Sequence, residues 1–369
     1  MIKLARPEIG AAEIDAVARV LETGMLVEGV NVAAFETAVG RYTGARHAIA
    51  VSSGTAALHL ALLAVGVGPG DEVIVPGFTF PASANVIELA GAVPVLVDID
   101  LATFNLDPAA LERLVTPRTR AIMPVHLFGQ SAEMDVVAAV ARAHGLKVVE
   151  DAACALGARY RGRACGALSD AGCFSFHPRK VITTGEGGMV LTDDDAVAAR
   201  IRALRNHGYY VDGGGFLEPG FNYRMTDFQG AVGVAQMSRL DGLVERRREL
   251  ARLYDRVLAN LDVVRPSAPP HMDPAWQAYV VLLPEQVDRA AVTDDLRARG
   301  VETTFGTYSL GAIPRFASHG AVPRSTEAWR RSLSLPLHPR MADEDVASVA
   351  EALAASLREV ACQAPAVRG

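Results

Sequence analysis

HAIAVSSGTAALHLALLAVGVGPGDEVIVP, residues 47–76, is the stretch from which the fold is read. AIAV (48–51) and EVIVP (72–76) are Val- and Ile-rich runs of strand length that do not alternate with polar residues, and TAALHLALLAVG (55–66) between them has the length of a helix. Such runs suit strands covered on both faces, as in a parallel sheet flanked by helices. The alternation continues. SANVIELAGA (83–92) is predicted helical, PVLVDID (94–100), RAIMPV (120–125) and LKVVED (146–151) are predicted strands, and helices are expected at about 108–115 and 132–144. GCFSF and GMVLT are two further strands around HPRKVITTGEG, followed by helices at about 195–206 and 226–260. Upstream, Ile14, Val17 and Leu21 share one helical face and Val32, Phe35, Val39 and Tyr42 another, with a loop between them.

Near residue 261 the character changes. RPSAPPHMDP resembles a linker, and QAYVVLL (strand), a helix near 290–299, VETTF (strand) and a helix near 343–359 make a smaller α+β unit. The expected division is a large domain over 1–245 and a small C-terminal domain over 246–369.

Composition narrows the function. The 369 residues are 50% hydrophobic and carry a net charge of −6, which disfavours nucleic acid as a partner. Arg246, Arg247 and Arg248 stand between Glu245 and Glu249 in a helical pattern and read as a solvated helix face. Cys154, Cys165, Cys173 and Cys362 show no metal spacing; reduced thiols in a cytoplasmic protein are expected, with no metal site. The N-terminus has no apolar signal core. The uncharged stretch from His47 to Gly70 is broken by Ser52, Ser53, Gly54 and Thr55, so no membrane span is expected.

In open α/β sheets ligands bind beyond the carboxyl ends of the strands. That rule selects SSGT, GFTF, DID, HLFG and DAAC. SSGTAAL (52–58) places a strand end, a turn and a helix start in succession; free N–H groups there suit a phosphate, and Gly54 permits close approach. Asp151 follows an apolar strand in VVEDAACALGA. Lys180 lies 29 residues further on, in a loop that returns through GEGG to another strand. Each element alone has an ordinary structural explanation, as a helix cap, a solvated carboxylate or a surface lysine. Together they supply what pyridoxal phosphate requires: a lysine for its aldehyde, a carboxylate for its ring nitrogen and amides for its phosphate.

Through RPEIGAAEIDAV, SSGTAALHLAL, PGFTFPASANVI, VDIDLATFNLD, PVHLFGQSAEMD, VEDAACALGA, FSFHPRKVITTGEGGMV, GFNYRMTDFQGA and LSLPLHPRM, the chain resembles the DegT/DnrJ/EryC1/StrS family of sugar aminotransferases over residues 6–341. The resemblance implies the fold type I of pyridoxal-phosphate-dependent transferases, with a mostly parallel sheet flanked by helices and a smaller α+β domain. It implies Lys180 as the Schiff-base lysine and Asp151 as partner of the pyridine nitrogen. Gly54, Thr55 and Ala56 would lie at the phosphate with Ser175 as a side-chain donor, and Phe80 would stack on the ring. Asn222 would reach the phosphate of the other subunit of a homodimer with shared active sites, with Arg224 nearby. Many members carry Gln or His where this chain has Cys154, near the ring hydroxyl, and thiols are weak donors. Relatives often carry a His near Gly311.

The remaining polar residues receive modest roles: packing or support of the site for His126, substrate or local structure for His177, and for Glu186 a hold on the loop through backbone N–H groups. Arg179, Arg224 and Arg315 are candidates for a substrate diphosphate. The activity implied is transfer of an amino group from an amino acid, glutamate by resemblance, to a nucleotide-linked keto-sugar, with pyridoxamine phosphate as the aminated cofactor. A 4-keto-6-deoxy sugar nucleotide is the expected acceptor. The alternatives are a cyclitol (keto-inositol) aminotransferase and a regulatory protein that binds the cofactor without turnover.

Overall fold

The computed structural model describes residues 1–211 and 214–363; the side chain of Cys362 and the last six residues of the expected small domain lie outside the described residues. A seven-stranded sheet forms the centre. Its strands are β1 (His47–Val51), β2 (Glu72–Pro76), β3 (Val93–Val97), β4 (Thr119–Ile122), β5 (Lys147–Asp151), β6 (Ala171–Ser175) and β7 (Gly188–Thr192). They lie in the order β1-β7-β6-β5-β4-β2-β3. Neighbours from β6 to β3 pair in parallel, and β7 is antiparallel to both β1 and β6. The Val- and Ile-rich strands are buried on both faces because helices cover both. Helix α3 (Gly54–Ala64) lies in one core with α4 (Ala82–Leu89) and α6 (Asp195–Arg205), whereas α5 (Met134–His144) packs in another. All parallel strands therefore end at one edge, which carries the turns after β1, β5 and β6.

Helices α1 (Ala11–Thr23) and α2 (Val30–Thr43) pack against α7 (Asp227–Met237). The expected face of α1 is turned outward: Ile14 and Leu21 are exposed, and Ala16 and Val20 are buried instead. Apolar periodicity identified a face that this chain alone does not cover.

The single helix expected over 226–260 is two, α7 and α8 (Leu240–Val257), because the backbone leaves the helical path at Arg239, with φ −114° and ψ 0°. Along α8, Leu243 and Val244 pack in the core beneath α2, whereas Leu250, Ala251 and Tyr254 belong to a second core. That second core holds β8 (Tyr279–Leu282), α9 (Arg289–Ala298), β9 (Ser332–Leu335) and α11 (Asp343–Gln363), with α10 (Pro323–Arg331) leading into β9. VETTF is no strand: it makes only single bridges, Val301 to Ile2 and Thr304 to Ser334, and so lacks a continuous partner. The helix expected at 108–115 is two 3-10 turns, Pro108–Ala110 and Glu112–Leu114; Pro117 disfavours helical geometry at the residue before it.

Arg247 departs from the solvated face read for its cluster. It is 3% exposed and donates to the carbonyls of Gln277 at 3.2 Å and Leu337 at 3.0 Å. Burial pulls its guanidinium down to about 10. The charged run reported the helix but not which arginine faces the carbonyls of the next unit.

Candidate active site

The site is built where β1, β5 and β6 end. Helix α3 opens on Ser53, whose Oγ accepts from the Ala56 N–H at 3.1 Å. That cap occupies one of the three amides expected at the phosphate and leaves the N–H groups of Gly54 and Thr55 without an acceptor among the described residues. Gly54 is required by packing: a Cβ there would stand 2.7 Å from Ser175 Cβ. Gly188 is required for the same reason, since its Cβ would meet the Ser53 carbonyl oxygen at 2.2 Å. The two glycines let the start of α3 lie against the ends of β6 and β7, so the free amides stand beside Ser175.

Asp151 ends β5 and is 6% exposed. Its Oδ2 accepts from Ser83 Oγ at 2.7 Å, and Ser83 in turn lies 3.1 Å from Thr79 Oγ1. Oδ1 accepts the Ala153 N–H at 3.2 Å. The carboxylate is thus held by two donors and is fixed in direction. Ser83 and Thr79 were missed in the sequence, where nothing marks a serine in the first turn of α4 as the partner of a carboxylate 68 residues away.

Lys180 sits in the loop between β6 and β7, half-buried, and its Nζ is 3.0 Å from Cys154 Sγ. Cys154 lies three residues beyond Asp151, so this contact brings the amine beside the turn that follows β5. The loop is closed by the Lys180 N–H to the His177 carbonyl at 2.8 Å and by Thr183 Oγ1 to the Phe176 carbonyl at 2.8 Å. Gly185 takes φ +84°, a value that favours glycine. Glu186 does not act as expected. Its side chain is exposed, and its main-chain carbonyl accepts from Gln229 Nε2 at 2.8 Å. His177 is exposed, and partial burial holds its imidazole below the usual value.

Phe80 is 62% exposed although aromatic. Its ring meets Tyr308 edge-on at 6.0 Å, and Tyr308–Ser309 pairs with Phe78–Thr79. Tyr308 therefore joins the C-terminal unit to the segment that carries Phe80 and Ser83. His126 is a support: it is fully buried, Nδ1 accepts the Ala132 N–H at 3.1 Å, and Nε2 donates to Glu150 at 2.8 Å. Glu150 also accepts from Gly166, Leu168 and Ser169, which shapes the segment after β5.

Asn222 is exposed and bridges Asn206. Arg224 hydrogen-bonds Asn206 Oδ1, Arg315 pairs with Glu88, and the Arg179 guanidinium has no partner among the described residues. No cluster of His, Cys, Asp and Glu that could hold a metal is found among the described residues.

A mostly parallel sheet with a lysine, a buried carboxylate and a helix start at one edge defines a pyridoxal-phosphate-dependent aminotransferase of fold type I. The chain belongs to the DegT/DnrJ/EryC1/StrS aminotransferase family, whose model matches residues 7–354. It is 44% identical over 366 residues to the GDP-perosamine synthase of Caulobacter vibrioides, covering 95% of this chain and 97% of that protein. Among solved structures, DesV of S. venezuelae is 38% identical with a TM-score of 0.89, covering 94% of each chain. Spr1654 of Streptococcus pneumoniae, a putative sugar aminotransferase solved in its PMP form, is 28% identical with a TM-score of 0.93, covering 98% of each chain.

Proposed function

We propose that the protein transfers an amino group from an amino acid, glutamate by resemblance, to a nucleotide-linked 4-keto-6-deoxy sugar in amino-sugar biosynthesis. The observation that carries this reading is the Lys180 amine beside the turn after Asp151, at the sheet edge where α3 opens. Likeness to the GDP-perosamine synthase of C. vibrioides supports a nucleotide sugar as acceptor.

The residues fit pyridoxal phosphate. The amides of Gly54 and Thr55 and the Ser175 hydroxyl would hold the phosphate, in a cradle that a side chain at position 54 would fill. Ala56, held by Ser53, would contribute through the helix start rather than through its amide. Phe80 would cover one face of the ring. Cys154 would stand near its hydroxyl. Bound there, the cofactor supplies an electron sink for the amino-bearing carbon. Asp151 holds the proton on the ring nitrogen, and Ser83 keeps that carboxylate aimed. Lys180 Nζ would move the proton from the α-carbon of the amino donor to the cofactor's aldehyde carbon, and in the second half-reaction from that carbon to the sugar carbon, as general base and acid. Of the three candidate arginines, Arg179 is the one whose guanidinium has no partner among the described residues, which favours it for a diphosphate over Arg224 and Arg315.

A homodimer with shared sites completes the reading. Exposed Met25, Val27, Val30 and Val234 line an apolar groove beside α1 and α7, which a second copy would cover. Asn222 would serve the partner's phosphate. No described helix is long and apolar enough to cross a membrane, and cytoplasmic action is part of the same proposal.

The test is to load the protein with pyridoxamine phosphate and offer nucleotide-linked 4-keto-6-deoxyhexoses and free keto-inositols. Conversion of the nucleotide sugars to amines, seen by mass spectrometry and the cofactor spectrum, supports the reading. Turnover of keto-inositols alone selects the cyclitol alternative, and no turnover with any acceptor selects the regulatory one.

A further inference from the structure

Helix α3 contains a single polar side chain after its first turn, His59. It is 5% exposed, and among the described residues neither ring nitrogen makes a well-formed hydrogen bond, the Leu89 backbone being the nearest polar partner. Burial holds the imidazole below its usual value, so the ring is neutral. A buried imidazole so poorly hydrogen-bonded calls for an explanation, because burying polar atoms without good partners costs free energy.

The ring's neighbours supply one. Phe221 lies 5.0 Å from it at 55° and Tyr223 lies 6.2 Å from it at 55°. Those two rings are stacked on each other, 4.8 Å apart and 10° from parallel. Asn222 stands between them in an extended segment, tied to the end of α6 by the Phe221 N–H to the Leu204 carbonyl at 2.7 Å and the Tyr223 N–H to the Arg205 carbonyl at 2.9 Å. Successive side chains of extended backbone point to opposite sides. Seating Phe221 and Tyr223 on His59 therefore turns Asn222 outward, where it is exposed. The segment is also joined to the chain just before α3, since the Ser52 N–H donates to the Tyr223 carbonyl at 2.8 Å.

We infer that His59 is a positioning residue that acts through its ring: it seats the Phe221–Tyr223 pair and so fixes the direction in which Asn222 leaves the subunit. The inference rests on the reading that Asn222 serves the partner's phosphate. It places that arm on the same helix whose start forms this subunit's own phosphate cradle, so each cradle is braced against the arm extended to the other.

The experiment is a spectroscopic titration of apoprotein with pyridoxal phosphate, with the oligomeric state followed by sedimentation. The proteins are the parent, His59→Ala, His59→Phe, His59→Gln, Asn222→Ala and the double variant His59→Ala/Asn222→Ala. His59→Ala weakens binding about tenfold, within the range for coupled neighbours. His59→Phe restores it, His59→Gln does not, and in the Asn222→Ala background His59→Ala adds no further loss. An equal loss in both backgrounds makes His59 a stabiliser of α3 only and overturns the inference. Rescue by Gln but not by Phe assigns a polar role and overturns it as well. If Asn222→Ala alone leaves binding unchanged, the shared-site reading fails and the inference fails with it.

Discussion

Lys180 Nζ and Cys154 Sγ stand 3.0 Å apart, which sets a thiol directly beside the amine proposed to carry the cofactor. Cys is a weak donor, so this chain should gain from a stronger one at the position. Cys154→Gln is expected to tighten pyridoxal phosphate several-fold, on the scale of about 1 kcal/mol for one added hydrogen bond, and to shift the visible band of the bound cofactor. An unchanged affinity and spectrum would remove Cys154 from the cofactor's surroundings.

Gly54 allows no side chain. A methyl group there would stand 2.7 Å from Ser175 Cβ, so the start of α3 would have to move away from β6. Gly54→Ala is expected to lower cofactor affinity by at least about tenfold with the fold retained, because a small displacement of amide donors removes charge-assisted hydrogen bonds worth about 1.5–3 kcal/mol each. Equilibrium dialysis and circular dichroism check the two halves of that statement. Full affinity in the variant contradicts the cradle.

Asp151 and Ser83 act as a pair, joined at 2.7 Å. Asp151→Asn keeps the shape and loses the charge, and it is expected to cost at least about a hundredfold in turnover, the scale of removing a group that stabilises developing charge. Ser83→Ala should cost less, since the carboxylate keeps its contact with the Ala153 amide. Comparing kcat for both variants is decisive: equal losses would show that orientation, not charge, is what Asp151 contributes.

His59 and His338 are both buried and both held below the usual imidazole value by that burial, with Arg247 adding to the effect at His338. A histidine whose folded pKa is lowered binds its proton more readily when unfolded. Stability from these groups is therefore complete above about pH 6.5 and declines as pH falls below it. Tm measured from pH 7.5 to 5 should fall, and His59→Phe should fall less steeply. A slope unchanged by the substitution would show that His59 does not contribute.

Much of the architecture was legible because strands buried on both faces write themselves as continuous Val and Ile runs. EVIVP coincides with β2 residue for residue, and the residues chosen for the site other than Phe80 and Asn222 fall at or just after the ends of β1, β5 and β6. What was not legible has a common cause: periodicity and composition report an element but not its neighbour. The outward face of α1, the burial of Arg247 and the failure of VETTF to pair each depend on distant chain. The Ser83–Asp151 contact is of the same kind, since it joins two elements whose proximity only the sheet order creates.

The account stands on Lys180 as the residue that carries the cofactor. Reduction of the holoprotein with borohydride followed by peptide mapping tests this directly. The account expects one phosphopyridoxyl group, on Lys180 in the peptide that contains HPRK. A label on another lysine, or no label on a protein shown spectroscopically to hold the cofactor, would contradict it.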